Sequence, residues 1–202
     1  MNRREIDLIL GPGLSDRISL VGGLIPKRLV QGNVVVNIHF SPAPWKTDPN
    51  NLDPKLDELG KQIKTFHKAG NEVVIVGVSG YASLGLNGYA ENKAKVSKVV
   101  SICGRLKVGQ GEFPPLELSA KNSRAFYDSV CLAEEHAKHF TPQDRAKFMT
   151  ISSKWDEIVP EGTSILEGAN NTEIPVPEHV LAIAAALTVY RKRWLDFILK
   201  GS

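Results

Sequence analysis

Cysteine is almost absent from this chain: Cys103 and Cys131 are the only two among 202 residues, too few for a disulfide framework. Cys103 closes the apolar run from Val96, where a buried thiol is expected, and the pair suits a reducing cytoplasm. No apolar leader stands at Met1-Asn-Arg-Arg-Glu-Ile-Asp7, which argues against secretion by a standard signal and leaves Asn170-Asn-Thr172 without weight as a glycosylation site. Long apolar runs are missing too. The longest, Val180 to Tyr190, is too short to span a bilayer and runs straight into charge. Charge of one sign is nowhere massed: the formal net charge is +3, and the one tight basic run, Arg191-Lys192-Arg193, lacks the interleaved aromatics of a nucleic-acid surface. It reads as a solvated helix face. There is no repeat and no low-complexity linker. With 42% hydrophobic and 23% charged residues, the composition is that of a globular chain, expected to form a single domain over 1–202.

What is present alternates. Strand patterns fall near 6–10, 33–40, 72–77, 97–103, 147–152 and 172–174; helical patterns fall near 15–24, 53–69, 80–94, 119–139 and 177–199. Apolar strands such as Val34-Val-Val-Asn-Ile38 and Val73–Val76 imply burial on both faces. The expected fold is α/β: a mostly parallel central sheet with helices on both faces, a three-layer sandwich. Leu181, Ala184, Ala185, Leu187 and Thr188 form the face expected to lie on the sheet, extended by Trp194, Phe197 and Ile198.

The stretch Glu72-Val-Val-Ile-Val-Gly-Val-Ser-Gly-Tyr-Ala82 concentrates the chemistry. A buried strand that stops at Gly77 and delivers Ser79 into a sharp turn before a helix lifts a hydroxyl clear of its neighbours, as a nucleophile requires. A serine hydroxyl is a poor nucleophile at neutral pH, so a base and an orienting acid are needed elsewhere. Phe148-Met-Thr-Ile-Ser-Ser-Lys-Trp-Asp-Glu-Ile-Val-Pro160 breaks from a strand into a loop carrying Asp156, and Pro175-Val-Pro-Glu-His179 opens the last helical pattern. In this order, Ser79, Asp156, His179, the chain resembles the α/β-hydrolase superfamily from about Ile6 to Leu199. The resemblance implies a Ser-His-Asp triad, an acyl-enzyme intermediate, a small ester or related acyl substrate, and no cofactor or metal.

The resemblance also implies an oxyanion hole. Gly80 supplies one backbone N–H, and the second comes from the loop after an early strand, here Ile6-Asp-Leu-Ile-Leu-Gly-Pro-Gly-Leu-Ser-Asp16. Pro12 has no N–H, so the workable register makes Leu14 the donor. The family's elbow places a second glycine where this chain has Tyr81, a ring expected to border the acyl pocket because it cannot easily lie beneath the helix. The chain is also short for the family. It is expected to lack the earlier antiparallel hairpin, and Arg105–Ala146 leaves no room for a large lid.

Other residues compete for these roles. Glu157 is a weaker rival for the acid, and His39, at a strand end, is a reserve base. His136 and His139 share a helical face beside Glu135, yet two solvated histidines are the simpler reading, and no metal site is expected. Gly11-Pro-Gly13 resembles part of a dinucleotide-binding turn, but Asp16 stands where a third glycine is required, and the next strand ends in His39-Phe-Ser41 without an acid. A hydrolase fold kept for binding alone is the remaining alternative, with Tyr81 as its main argument.

Overall fold

The computed structural model describes residues 3–14 and 23–200; most of the helix expected near 15–24 lies outside them. Seven strands form one sheet: β1 (Arg4–Gly11), β2 (Arg28–Gln31), β3 (Val34–Phe40), β4 (Glu72–Val78), β5 (Val96–Ile102), β6 (Phe148–Trp155) and β7 (Asn170–Pro177). The described helices are α1 (Asp53–Lys68), α2 (Tyr81–Glu91), α3 (Leu116–Ser119), α4 (Arg124–Lys138), α5 (Pro142–Arg145), α6 (His179–Leu187) and α7 (Arg191–Leu199). Strand order is β2-β3-β1-β4-β5-β6-β7, parallel throughout except for the antiparallel β2–β3 pair.

Alternation along the strands builds two cores. Ile9, Val73 and Ile75 face one way and pack with Leu59 and Ile63 of α1 and with Tyr89 of α2. Leu8, Leu10, Val74 and Val76 face the other and pack with Ala182 and Ala186 of α6 and with Trp194 and Ile198 of α7. Helices thus cover both faces, as the continuous apolar strands imply. Among the described residues no helix is long and apolar enough to cross a membrane.

Two features depart from the sequence expectation. An antiparallel strand, β2, occupies the edge, joined to β3 by the two-residue turn Gly32-Asn33, with Gly32 at φ 61. Its four residues are partly or fully exposed, so no apolar pattern marks them; the glycine-led turn was the available signal. The single helix expected over 177–199 is two. Thr188 Oγ1 donates back to the Ala184 carbonyl at 2.7 Å, a bond that bends helices, and Trp194 Nε1–H takes the Ala186 carbonyl at 3.1 Å. The break lets Leu187 and Trp194 both bury. It also rotates the contact face of α6 onto Ala182, Ala186 and Leu187, leaving Leu181 and Thr188 exposed.

Trp194 is fully buried, so Trp194→Ala should cost about 3–5 kcal/mol. Urea unfolding followed by circular dichroism would measure it, and a loss below about 1 kcal/mol would mean that α7 is not a working part of the core.

Candidate active site

The site forms where the strand order turns. β1 lies between β3 and β4, so the chain leaves the carboxyl ends of β1 and β4 side by side toward opposite halves of the sheet, the place where open α/β sheets leave a crevice. The loop carrying Leu14 follows β1, Ser79 follows β4, Asp156 follows β6, and His179 opens α6 after β7.

The turn at Ser79 is tight. Ser79 has φ 51, a left-handed conformation uncommon outside glycine, and its N–H donates to the Ile102 carbonyl at 2.8 Å. Small residues make this possible: a Cβ on Gly77 would stand 2.7 Å from Ala82 Cα, and one on Gly104 would stand 2.0 Å from Ala82 Cβ. The non-glycine residues with positive φ among those described are Ser79, Cys103 and Glu178. Each adjoins the site: the candidate nucleophile, the residue just after β5 beside it, and the residue before His179. Strained backbone concentrates where function demands a fixed geometry.

Three side chains meet in a line. Ser79 Oγ lies 2.9 Å from His179 Nε2, and His179 Nδ1 lies 2.7 Å from Asp156 Oδ2. The His179 and Asp156 side chains are 5% and 3% exposed, so their bond is shielded from water. Asp156 Oδ1 accepts the N–H groups of Ile158 at 2.9 Å and Val159 at 2.8 Å, which orients the carboxylate. An ionised carboxylate only accepts, so Nδ1 carries the proton and Nε2 is left to accept from the Ser79 hydroxyl. Glu157 does not compete for the ring; its Oε2 accepts the backbone N–H of His179 at 3.0 Å.

The loop after β1 folds over the serine. A Cβ on Gly13 would lie 3.1 Å from Ser79 Oγ, and one on Gly80 would lie 3.5 Å from the backbone nitrogen of Leu14. Leu14 and Gly80 therefore flank Ser79 together.

Tyr81 corrects an expectation. The ring is accommodated beneath the helix, 1% exposed, with its hydroxyl donating to Ser41 Oγ at 3.0 Å. The space comes from Gly11, where a Cβ would stand 2.0 Å from the ring; the glycine this elbow needs is supplied by β1. Tyr81 is a core residue, touching a cavity of about 140 Å³ shared with Ser41, Pro44 and Leu84. Burial raises its hydroxyl far above the ordinary range, so it remains a neutral donor. Gly11→Ala should therefore destabilise the fold by roughly 1–3 kcal/mol through overpacking, whereas Tyr81→Phe, losing one buried hydrogen bond, should cost about 1 kcal/mol. Thermal unfolding of both variants measures this; a neutral Gly11→Ala would show that the ring has another place to go.

The rival groups are engaged elsewhere. His39 Nε2 lies 2.8 Å from Asp7 Oδ1 and its ring stacks on Phe66 at 4.3 Å. His136 turns to Asn87 and His139 to Glu135, so the two do not converge. The Cys103 thiol is pushed up to about 12, by burial first and by Asp156 second, so no thiolate competes with Ser79. The segment between β5 and β6 carries α3, α4 and α5. There α4 packs on α2 through Ser129, bonded to Ser83 and Asn87, and the loop before α3 is pinned by Arg105, which donates to the carbonyls of Lys107, Val108 and Pro114.

No family model and no curated protein matches the sequence. Solved structures do. A structure described under the metagenome-derived lipolytic enzymes LipS and LipT aligns with 100% of this chain and 96% of its own, at TM-score 0.68 and 14% identity. The Bacillus licheniformis lipase BlEst2 aligns over 96% of this chain and 92% of its own, at TM-score 0.62 and 13% identity. Est1E from Butyrivibrio proteoclasticus aligns over 99% and 90%, at TM-score 0.59 and 11% identity. At such identities the likeness is one of fold.

Proposed function

We propose that this chain, which has the α/β-hydrolase fold, is a serine hydrolase that cleaves a small ester or related acyl substrate through an acyl-enzyme intermediate. One observation carries the reading: the part-buried sequence of contacts from Ser79 Oγ through His179 to Asp156, at 2.9 and 2.7 Å. In the proposed reaction Ser79 Oγ attacks the acyl carbon while Nε2 of His179 takes its proton. Asp156 holds the ring tautomer and stabilises the imidazolium. The N–H groups of Leu14 and Gly80 receive the carbonyl oxygen as it becomes negative. His179 then protonates the leaving alcohol, and water repeats the steps to release the acid. The lipolytic enzymes and the lipase of similar fold are in keeping with an ester substrate.

The rim supports a small acyl group. Trp155, Ile158, Val180 and Leu181 flank Asp156 and His179 and are exposed, while Arg105 holds the 107–115 loop in place. Among the described residues these four offer apolar contact beside the triad. Each enclosed CH₂ contributes about 0.8 kcal/mol, so a deep tunnel would raise kcat/KM about fourfold per carbon. Here the rise should stop after a few carbons. A series of p-nitrophenyl esters from acetate to palmitate tests this, and a steady climb to palmitate would place a long acyl channel in this protein.

A further inference from the structure

We propose that Glu157 is a positioning residue for His179, holding its main chain while Asp156 holds its ring; the inference rests on the triad reading above. Three consecutive residues, the last of β6 and the first two of the loop after it, grip the residue before α6 and the first residue of α6. The Trp155 carbonyl accepts the N–H of Glu178 at 3.2 Å, Asp156 Oδ2 meets Nδ1 of His179 at 2.7 Å, and Glu157 Oε2 accepts the N–H of His179 at 3.0 Å. The carboxylate of Glu178 completes the arrangement, accepting the N–H groups of Val180 at 3.1 Å and Leu181 at 2.8 Å. Two carboxylates thus satisfy the first three N–H groups of α6, at the end of the helix where negative charge is favoured.

The grip has a task because the backbone here is not at rest. Glu178 has φ 68, a conformation that a side-chain-bearing residue keeps only when its surroundings enforce it. Its own carboxylate binds residues beyond His179; in the Glu178–His179 peptide itself the carbonyl accepts the N–H of Ala182 at 2.9 Å and the N–H donates to Glu157, while the Trp155 carbonyl holds the N–H of Glu178 one peptide earlier. Without Glu157 the N–H side of that peptide loses its partner, so the peptide can tilt about the carbonyl held by Ala182, and the Cα–Cβ direction of His179 turns with it. The hydrogen bond from Ser79 Oγ to Nε2 then lengthens or loses alignment, and a small misplacement of a catalytic group costs far more rate than binding. Glu157 touches no reacting atom.

The test compares wild type with Glu157→Ala and Glu157→Gln. It measures the rate at which a fluorophosphonate labels Ser79, together with kcat and KM on p-nitrophenyl acetate. Glu157 is exposed, so the fold should survive both changes, and thermal midpoints verify this. Glu157→Ala should lower the labelling rate and kcat together by about tenfold with KM within about twofold. Glu157→Gln keeps an amide oxygen to accept the His179 N–H and should recover most of the loss. Unchanged labelling in Glu157→Ala would overturn the proposal. So would a Glu157→Gln variant as slow as the alanine, which would make charge the cause, or a change confined to KM. If wild type itself fails to label while remaining folded, the hydrolase reading falls and takes this proposal with it.

Discussion

Ser79→Ala should lower kcat by roughly five to six orders of magnitude, and His179→Ala by about as much. The reason is the unit they form. Oγ at 2.9 Å from Nε2 is nucleophilic only while the ring can take its proton, and the ring has no other task in the first step. Removing either partner removes the same event, so the double variant should be little worse than either single one. Cys103 offers no bypass, since its buried thiol stays protonated at neutral pH. Any residual rate would come from substrate binding and from the N–H groups of Leu14 and Gly80. Steady-state turnover of p-nitrophenyl butyrate, with circular dichroism to verify folding, measures the loss. More than about a hundredth of wild-type activity in either folded variant would remove the triad from the account.

Asp156→Asn should cost about 10⁴-fold in kcat, the drop expected when the acid of a Ser-His-Asp triad is replaced by its amide. Here the geometry predicts the mechanism of the loss. Oδ1 of Asp156 accepts two backbone N–H groups, so an asparagine must place its oxygen there and turn its NH₂ toward Nδ1 of His179. Nδ1 then has to accept, the ring proton moves to Nε2, and Nε2 can no longer take a proton from Ser79. Glu157 cannot substitute, because its carboxylate is bonded to the main chain of His179. The fold should persist, held by the same two backbone bonds. Asp156→Asn and Glu157→Gln assayed side by side separate the roles: a mild loss at 156 with a loss of several orders of magnitude at 157 would transfer the acid's role to Glu157.

Much of this was legible because strong local physics marks it. The β4 strand ends where small residues begin, and the order Ser79, Asp156, His179 maps onto the carboxyl ends of β4, β6 and β7, which the parallel pairing brings to one end of the sheet. The misses lie where a distant residue decides. Tyr81 reads as an obstruction until Gly11, seventy residues earlier in the chain and adjacent in the sheet, is seen to leave room for its ring. The edge strand β2 has no buried face to give it a period. The break between α6 and α7 depends on Trp194 reaching back to the Ala186 carbonyl, which no periodicity reveals. The role assigned to Glu157 rests on a contact across 22 positions, between a loop and a helix start. Read along the chain, Glu157 is only the neighbour of Asp156.

The central claim, that Ser79 is a nucleophile driven by His179, is tested most directly by incubating the protein with a fluorophosphonate and locating the adduct by peptide mass spectrometry. One adduct is expected, on Ser79, absent from Ser79→Ala and formed far more slowly in His179→Ala. A folded wild-type protein that forms no adduct, or one labelled at a residue other than Ser79, would contradict it.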